Sequence, residues 1–307
     1  MAATSQDAAP QPTPILIEKR FPLELSQTIM TIRDLYDASK QARWDPNADI
    51  PWSDLDVSGL SAEVRRAAAL TWSRRSWVEY TGLPETPALL IRFCLEIRRE
   101  ADPKYFLAVR NTEEAWHVEV CHSIAEAFGG YVDAPSNDSY AALFNQAYSK
   151  QALGADTFLD GYVAAHCALE DGLELELWRG YLDNATDPVV KRALQLCVED
   201  KERHAAFGWF YVEKRAAQWS ESDRATVAGA LARHLGEVEF KGYHCAWMAP
   251  DNAAAEIVAA EKITTAAGLG ALTPEAEATI VTNYLTLARI KFAALGVDMP
   301  DVPVPAA

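Results

Sequence analysis

The sequence predicts an all-α protein folded as one domain, on three observations. Polar residues recur at helical spacing inside apolar stripes, alternating β-branched runs are few, and half the residues are hydrophobic with only 15 glycines in 307. At this length the chain can bury a substantial core. Residues 1–14 and 299–307, rich in alanine and proline, are expected to hang loose, leaving 15–298 as the domain and about 60–218 as its functional core. From about residue 22 the pattern is helical, up to a loop near 43–52 where Pro46 and Pro51 interrupt any helix. Later helices are expected at about 61–81, 85–101, 104–129, 137–151, 154–183, 187–218, 222–249, 252–268 and 273–295. Pro84, Pro103, Gly129-Gly130 and Pro188 mark several of the breaks.

Composition excludes several function classes. A net charge of −16 argues against a nucleic-acid partner, whose phosphates are met by lysine and arginine, and against anionic membrane surfaces. No apolar stretch approaches the roughly 18–20 residues that span a bilayer. Met1 to Pro14 lacks the apolar centre of a signal peptide. Cys94, Cys121, Cys167, Cys197 and Cys245 are scattered, odd in number and free of any C-x-x-C pair, so reduced cysteines in a cytoplasmic protein are expected.

The chemistry is carried by two related frames. Glu114 and His117 form an E-x-x-H motif, and Lys201 and His204 repeat its spacing with lysine in place of glutamate. Residues three or four apart on a helix share a stripe, and those stripes are otherwise apolar. They read Leu107, Arg110, Glu114, His117, Cys121, Ile124, Phe128, then Leu159, Val163, His166, Glu170, Leu173, Leu177, then Val190, Leu194, Cys197, Lys201, His204, Gly208, Tyr211. A polar side chain on a buried stripe costs several kcal/mol unless paired or ligated. Three helices with that feature at mid-length imply one shared polar centre. The fourth contributor is read as Glu79, in the apolar setting Trp77-Val78-Glu79-Tyr80, ahead of Glu96. Glu174 is an alternative ligand. His166 reads as a hydrogen-bonded core histidine, and the pairs Glu119/His122 and His234/Glu237 read as solvated.

The stretch Asp200-Lys201-Glu202-Arg203-His204-Ala205-Ala206-Phe207-Gly208 resembles the D-E-x-R-H-x-x-F-G signature of the oxygenase branch of ferritin-like di-iron carboxylate proteins that includes the p-aminobenzoate N-oxygenases. Spacings of 35 from Glu79 to Glu114, 53 from His117 to Glu170 and 31 from Glu170 to Lys201 are similar to theirs, and the likeness covers roughly 60–215. It implies a ferritin-like four-helix bundle with additional N- and C-terminal helices. It further implies that Glu114 bridges two metals, with His117 and Glu79 on one and Glu170 and His204 on the other. Lys201 stands where the second bridging glutamate belongs, and Cys197 where those enzymes carry a further histidine.

Exchanging a bridging carboxylate for an ammonium beside divalent ions shifts the local energy by several kcal/mol at an effective dielectric of about 20. Three outcomes are open. One metal binds at Glu79, Glu114 and His117 while Lys201 pairs with Glu170, which is the preferred outcome. Alternatively Lys201 is neutral or carbamylated, or it neutralises the carboxylates of a metal-free site. A buried lysine is also a candidate catalytic base or nucleophile. The leading expectation is an iron-dependent oxidase or oxygenase, with one or two ions and manganese as an option, that uses O2 on a small organic substrate. An electron-donor protein and a homodimer are its expected partners. The rival is a non-catalytic scaffold whose salt-bridged centre only supports a partner-binding surface.

Overall fold

The computed structural model describes residues 25, 28–96, 100–146, 148–154 and 156–306, and no strand occurs among them. Two long antiparallel helices form the middle of the bundle: α2 (Ala62–Gly82) and α4 (Ala101–Phe128), which pack along their length. The second pair is the interrupted helix Leu159–Asn184 and α9 (Pro188–Ala216). Around these four lie α1 (Met30–Gln41) against α4 and α9, α3 (Glu85–Leu95) against α4, and α5 (Asp138–Phe144) beside α2. The short α6 (Tyr148–Leu153) packs on α3. The interrupted helix begins as α7 (Leu159–Val163) and ends as α8 (Asp171–Asn184). Beyond α9 come α10 (Glu221–Glu237) against α7, α11 (Ala255–Ala266) against α2 and α12 (Pro274–Ala294) against α8.

Local chemistry accounts for the ends. Asp187 accepts from the Val189 and Val190 amides at 2.9 Å with Pro188 as first helical residue, the arrangement that starts a helix most economically. Ser220 and Asp223 cap α10 reciprocally, and Thr273 with Pro274 opens α12. Pro103 does not break the chain where the sequence suggests. It sits in the first turn of α4, where its missing N–H has no partner to lose. The three polar-centred stripes are buried as expected, and stacked Phe106 and Phe207, 5.1 Å between centroids, join α4 to α9.

Four departures matter. Expected helix 85–101 ends at Leu95, and expected helix 137–151 divides into α5 and α6. Expected helix 222–249 stops at Glu237, and the chain continues through short 3₁₀ turns at Glu239–Lys241, Ala246–Met248 and Pro250–Asn252. Gly242 forces that change: its φ of +97° is closed to other residues, and a Cβ there would meet Ala249 at 2.9 Å. The expected loose tail at 299–307 is held down over its described part, with Met299 buried, Val302 and Val304 on the core, and Arg289 paired to Asp301 at 2.6 Å. Residues 1–14 lie outside the described residues.

Away from the centre, Glu277 is buried beneath the Tyr181 hydroxyl, which donates to it at 3.1 Å. Burial, reinforced by the charge of Glu261, pushes its carboxyl up to about 8 from 4.5. A raised carboxyl gives stability that is full below the unfolded value and is lost as pH climbs through the folded one. Glu277→Gln should therefore leave the melting temperature nearly unchanged below about pH 5 and raise it above about pH 8, by roughly 2–4 °C for each kcal/mol regained. Thermal unfolding at the two pH values checks this; an equal effect at both would refute it.

Candidate functional site

The middle of the bundle is crowded with charge. Lys201, from mid-α9, places Nζ 2.8 Å from Glu79 Oε1 and 2.7 Å from Glu174 Oε1, and 4.6 Å over the Trp178 ring. His117 sits against the same group, with Nδ1 3.3 Å from Glu79 Oε2, off the angle of a hydrogen bond, and Nε2 3.2 Å from Asp200 Oδ2. Asp200 also accepts from the Trp44 indole at 2.9 Å and from Arg203. Beside this cluster Arg110 binds Glu114 Oε1 at 2.8 Å and grips Asp171 with two bonds of 2.6 and 2.9 Å. Thr86 donates to the same Glu114 oxygen at 2.8 Å. His204 meets Glu113 at 2.9 Å.

These contacts set the protonation of the centre. Burial alone would raise Glu79, but the Lys201 ammonium and His117 overcome it and hold the carboxyl well below its usual range. Glu174 goes the other way, to about 7, because burial and the adjacent Glu79 charge outweigh Lys201. Burial would depress Lys201 too, yet Glu174 and Glu79 lift it above an ordinary lysine. Held in that way, Lys201 is kept protonated, whereas a base or nucleophile would need it neutral. Its partners are also not the expected ones, since it pairs with Glu79 and Glu174 rather than with Glu170. His117 opposes the cost of burial through Asp200 and Glu79 and rises to about 9.

Glu170 points into a neighbouring cluster. It closes a π-helical segment, Ala164–Glu170, that joins α7 to α8 and widens the turn carrying His166. The Tyr284 hydroxyl donates to the Ala168 carbonyl of this segment at 2.8 Å. Helix α9 lies so close that a Cβ on Gly208 would fall 1.8 Å from the Cys167 carbonyl oxygen. His166 Nδ1 lies 2.9 Å from Glu170 Oε2 and 3.0 Å from Glu85 Oε1, and Tyr162 also donates to Glu85. His234, from the last turn of α10, reaches Glu170 Oε2 at 3.2 Å and Glu239 Oε1 at 3.1 Å. His244 Nδ1 meets Glu239 Oε2 at 2.9 Å, and its Nε2 lies 3.8 Å from Glu174 Oε1. Carboxylate neighbours outweigh burial for His166, raised to about 10 by Glu85 and Glu170, and for His244, raised to about 9 by Glu239.

The two clusters share one cavity of about 30 Å³, lined by Glu79, Glu114, Glu170, Lys201, His204 and His244 among others, with room for one or two water-sized occupants. The sequence therefore brought Glu79, Glu114, Glu170, Lys201 and His204 to one place, and placed His117 against Glu79. It missed His234, His244, Glu239 and Glu85. His234 was read as a solvated partner of Glu237, whereas it is buried and faces Glu170 and Glu239. His166, read as a core histidine, faces the cavity as well. His122, by contrast, is exposed beside Glu126 as a solvated residue should be.

A solved structure described as an R2-like ligand-binding oxidase with an aerobically reconstituted Mn/Fe cofactor is similar over 85% of this chain and 92% of its own, at TM-score 0.64 and 18% identity. A mutant of such an oxidase, with an anaerobically reconstituted Mn/Fe cofactor, matches over 88% and 95%, at TM-score 0.65 and 16% identity. The fold is ferritin-like. At these identities the likeness is one of architecture. No protein-family model and no curated protein matches the chain.

A metal at the position implied by the resemblance does not fit the residues present. Lys201 Nζ stands between Glu79 and Glu174, Arg110 occupies Glu114, both His117 nitrogens face carboxylates, and His204 is bound to Glu113. The remaining Glu114 oxygen, Oε2, is buried without a hydrogen bond. The ligand atoms of His166, Glu170 and His234, and those of Glu170, Glu239 and His244, lie within 4.8 Å of one another in each set. Removing the ammonium tests the first half of the centre. Lys201→Met strips Glu79 and Glu174 of their shared ammonium and should cost about 3–5 kcal/mol. Lys201→Met with Glu174→Gln should recover part of that loss. Denaturant unfolding of both proteins is the measurement, and a stable single variant would contradict the ion-pair account.

Proposed function

We propose that the chain is a metal-dependent oxidoreductase that uses O2 on a small organic substrate, with iron or manganese held in the polar core of the bundle. The observation that carries this reading is the set of buried His166, His234, Glu239 and His244 around the half-buried Glu170. Imidazole with carboxylate suits Fe and Mn, and a bound ion there would supply O2 activation. A second cavity, of about 340 Å³, adjoins the set: His166 and His234 line it together with Tyr162, Gln146 and Arg233. That volume is at the lower end of small-molecule sites. His166 borders both cavities, so a substrate in the outer one would lie beside the buried donors. In this reading the protein residues orient the substrate and exclude bulk water. The Mn/Fe cofactors of the structural neighbours support the choice of metals. An electron-donor protein and a homodimeric assembly are its proposed partners.

The second reading, a non-catalytic scaffold, is favoured by Lys201 and Arg110, which fill the resembled metal position with protein cations. The two readings separate on one preparation. Protein produced with added iron and manganese is expected to retain metal through gel filtration, to consume O2 with a reductant present, and to lose both properties after chelation. Folded protein that neither holds metal nor consumes O2 would favour the scaffold.

A further inference from the structure

We infer that the chain's metal site is displaced from the E-x-x-H frame onto Glu170, with His166, His234, Glu239 and His244 as the other ligands. This inference rests on the metal-dependent reading but concerns where the ion binds, not what it does.

Cis ligands about 2.1 Å from a six-coordinate ion lie about 3.0 Å from one another. The contacts here have that spacing: His166 to Glu170 at 2.9 Å, His234 to Glu170 at 3.2 Å, His234 to Glu239 at 3.1 Å and His244 to Glu239 at 2.9 Å. Glu170 belongs to both triads, and Glu239 touches a histidine from each. Both glutamates can therefore face an ion from opposite sides of the cluster.

The donors also come from separate elements. His166 and Glu170 are held by the π segment, His234 by the end of α10, and Glu239 and His244 by the turns around Gly242. His166, His234, Glu239 and His244 are all buried. No lysine or arginine pairs with Glu170 or Glu239 among the described residues. Every carboxylate of the frame is different: Lys201 holds Glu79, Arg110 holds Glu114, and Arg203 holds Glu113 at 3.0 Å. The cations of the centre are thus gathered on one side of the cavity. Among the described residues, Glu170 and Glu239 make their ion pairs with histidines, and Glu85 meets His166 and the Tyr162 hydroxyl.

The test uses the full chain, stripped with chelator and titrated with Mn2+, whose free form is counted by its paramagnetic resonance signal. His234→Ala and His244→Ala are each expected to weaken Mn2+ binding by at least about tenfold, as loss of a ligand or its support does, and Glu170→Gln by more. Glu114→Gln and His117→Asn should leave the affinity within about threefold of the parent, inside the range expected for residues that are not ligands. Helical circular dichroism and the unfolding midpoint of each variant exclude collapse as the cause. His166→Gln, which keeps size and a polar tip, gives a second reading if His234→Ala does not fold. Binding lost in Glu114→Gln and His117→Asn but kept in the histidine variants would return the ion to the frame and overturn the inference. No Mn2+ bound by folded protein would overturn it too. Mn2+ held at the displaced donors without O2 consumption would leave this site standing and end the oxidase reading instead.

Discussion

The ammonium of Lys201, seated between Glu79 and Glu174 and over Trp178, is the contact on which the rest of the centre depends. A buried carboxylate is costly unless a cation is within reach, and here one cation serves two. Because Glu79 is thereby fixed as an anion, His117 is held between it and Asp200, and Asp200 in turn anchors Trp44 from the connection between α1 and α2. Arg110 performs the parallel task for Glu114 and Asp171, and so ties α4 to the start of α8. The bundle is closed at this level by its own charged groups.

That closure divides the core into two electrostatic halves. One is neutralised internally by Lys201, Arg110 and Arg203. The other consists of imidazoles and carboxylates, and it adjoins the outer cavity lined by His166 and His234. A protein cation cannot be exchanged for a metal, whereas a proton can. That difference is what the proposed placement of a metal beside Glu170, and not beside Glu114, draws on.

Most of the architecture was legible because the stripes of α4, the interrupted helix and α9 each put charged residues at fixed helical spacing among apolar ones. Glu79 and Lys201 were placed correctly for the same reason. His244 and Glu239 were not, since both were assigned to a continuous helix 222–249; the left-handed Gly242 that ends that possibility is one glycine among 15 in the sequence. His234 was misread because its real partners, Glu170 and Glu239, lie outside its helical register. The preference for a Lys201–Glu170 pair failed on helix phase. A π turn displaces Glu170 from the stripe that ideal geometry draws, and Glu174, one turn later, takes the place beside the lysine.

Gly208 shows how much of this arrangement depends on an atom that is not there. With only hydrogen facing the Cys167 carbonyl, α9 can press against the widened turn of its neighbour. A methyl group at that point would oblige the two helices either to part or to slide. Parting would open a gap along Phe207 and Tyr211, both fully buried. Straightening the π turn into α-helix would rotate His166 away from Glu170 by roughly one residue's share of a helical turn. The distance between two prospective ligands on one helix is therefore governed by the smallest residue on another. In a chain of this design, the mark of the displaced centre is a glycine facing a carbonyl as much as any histidine.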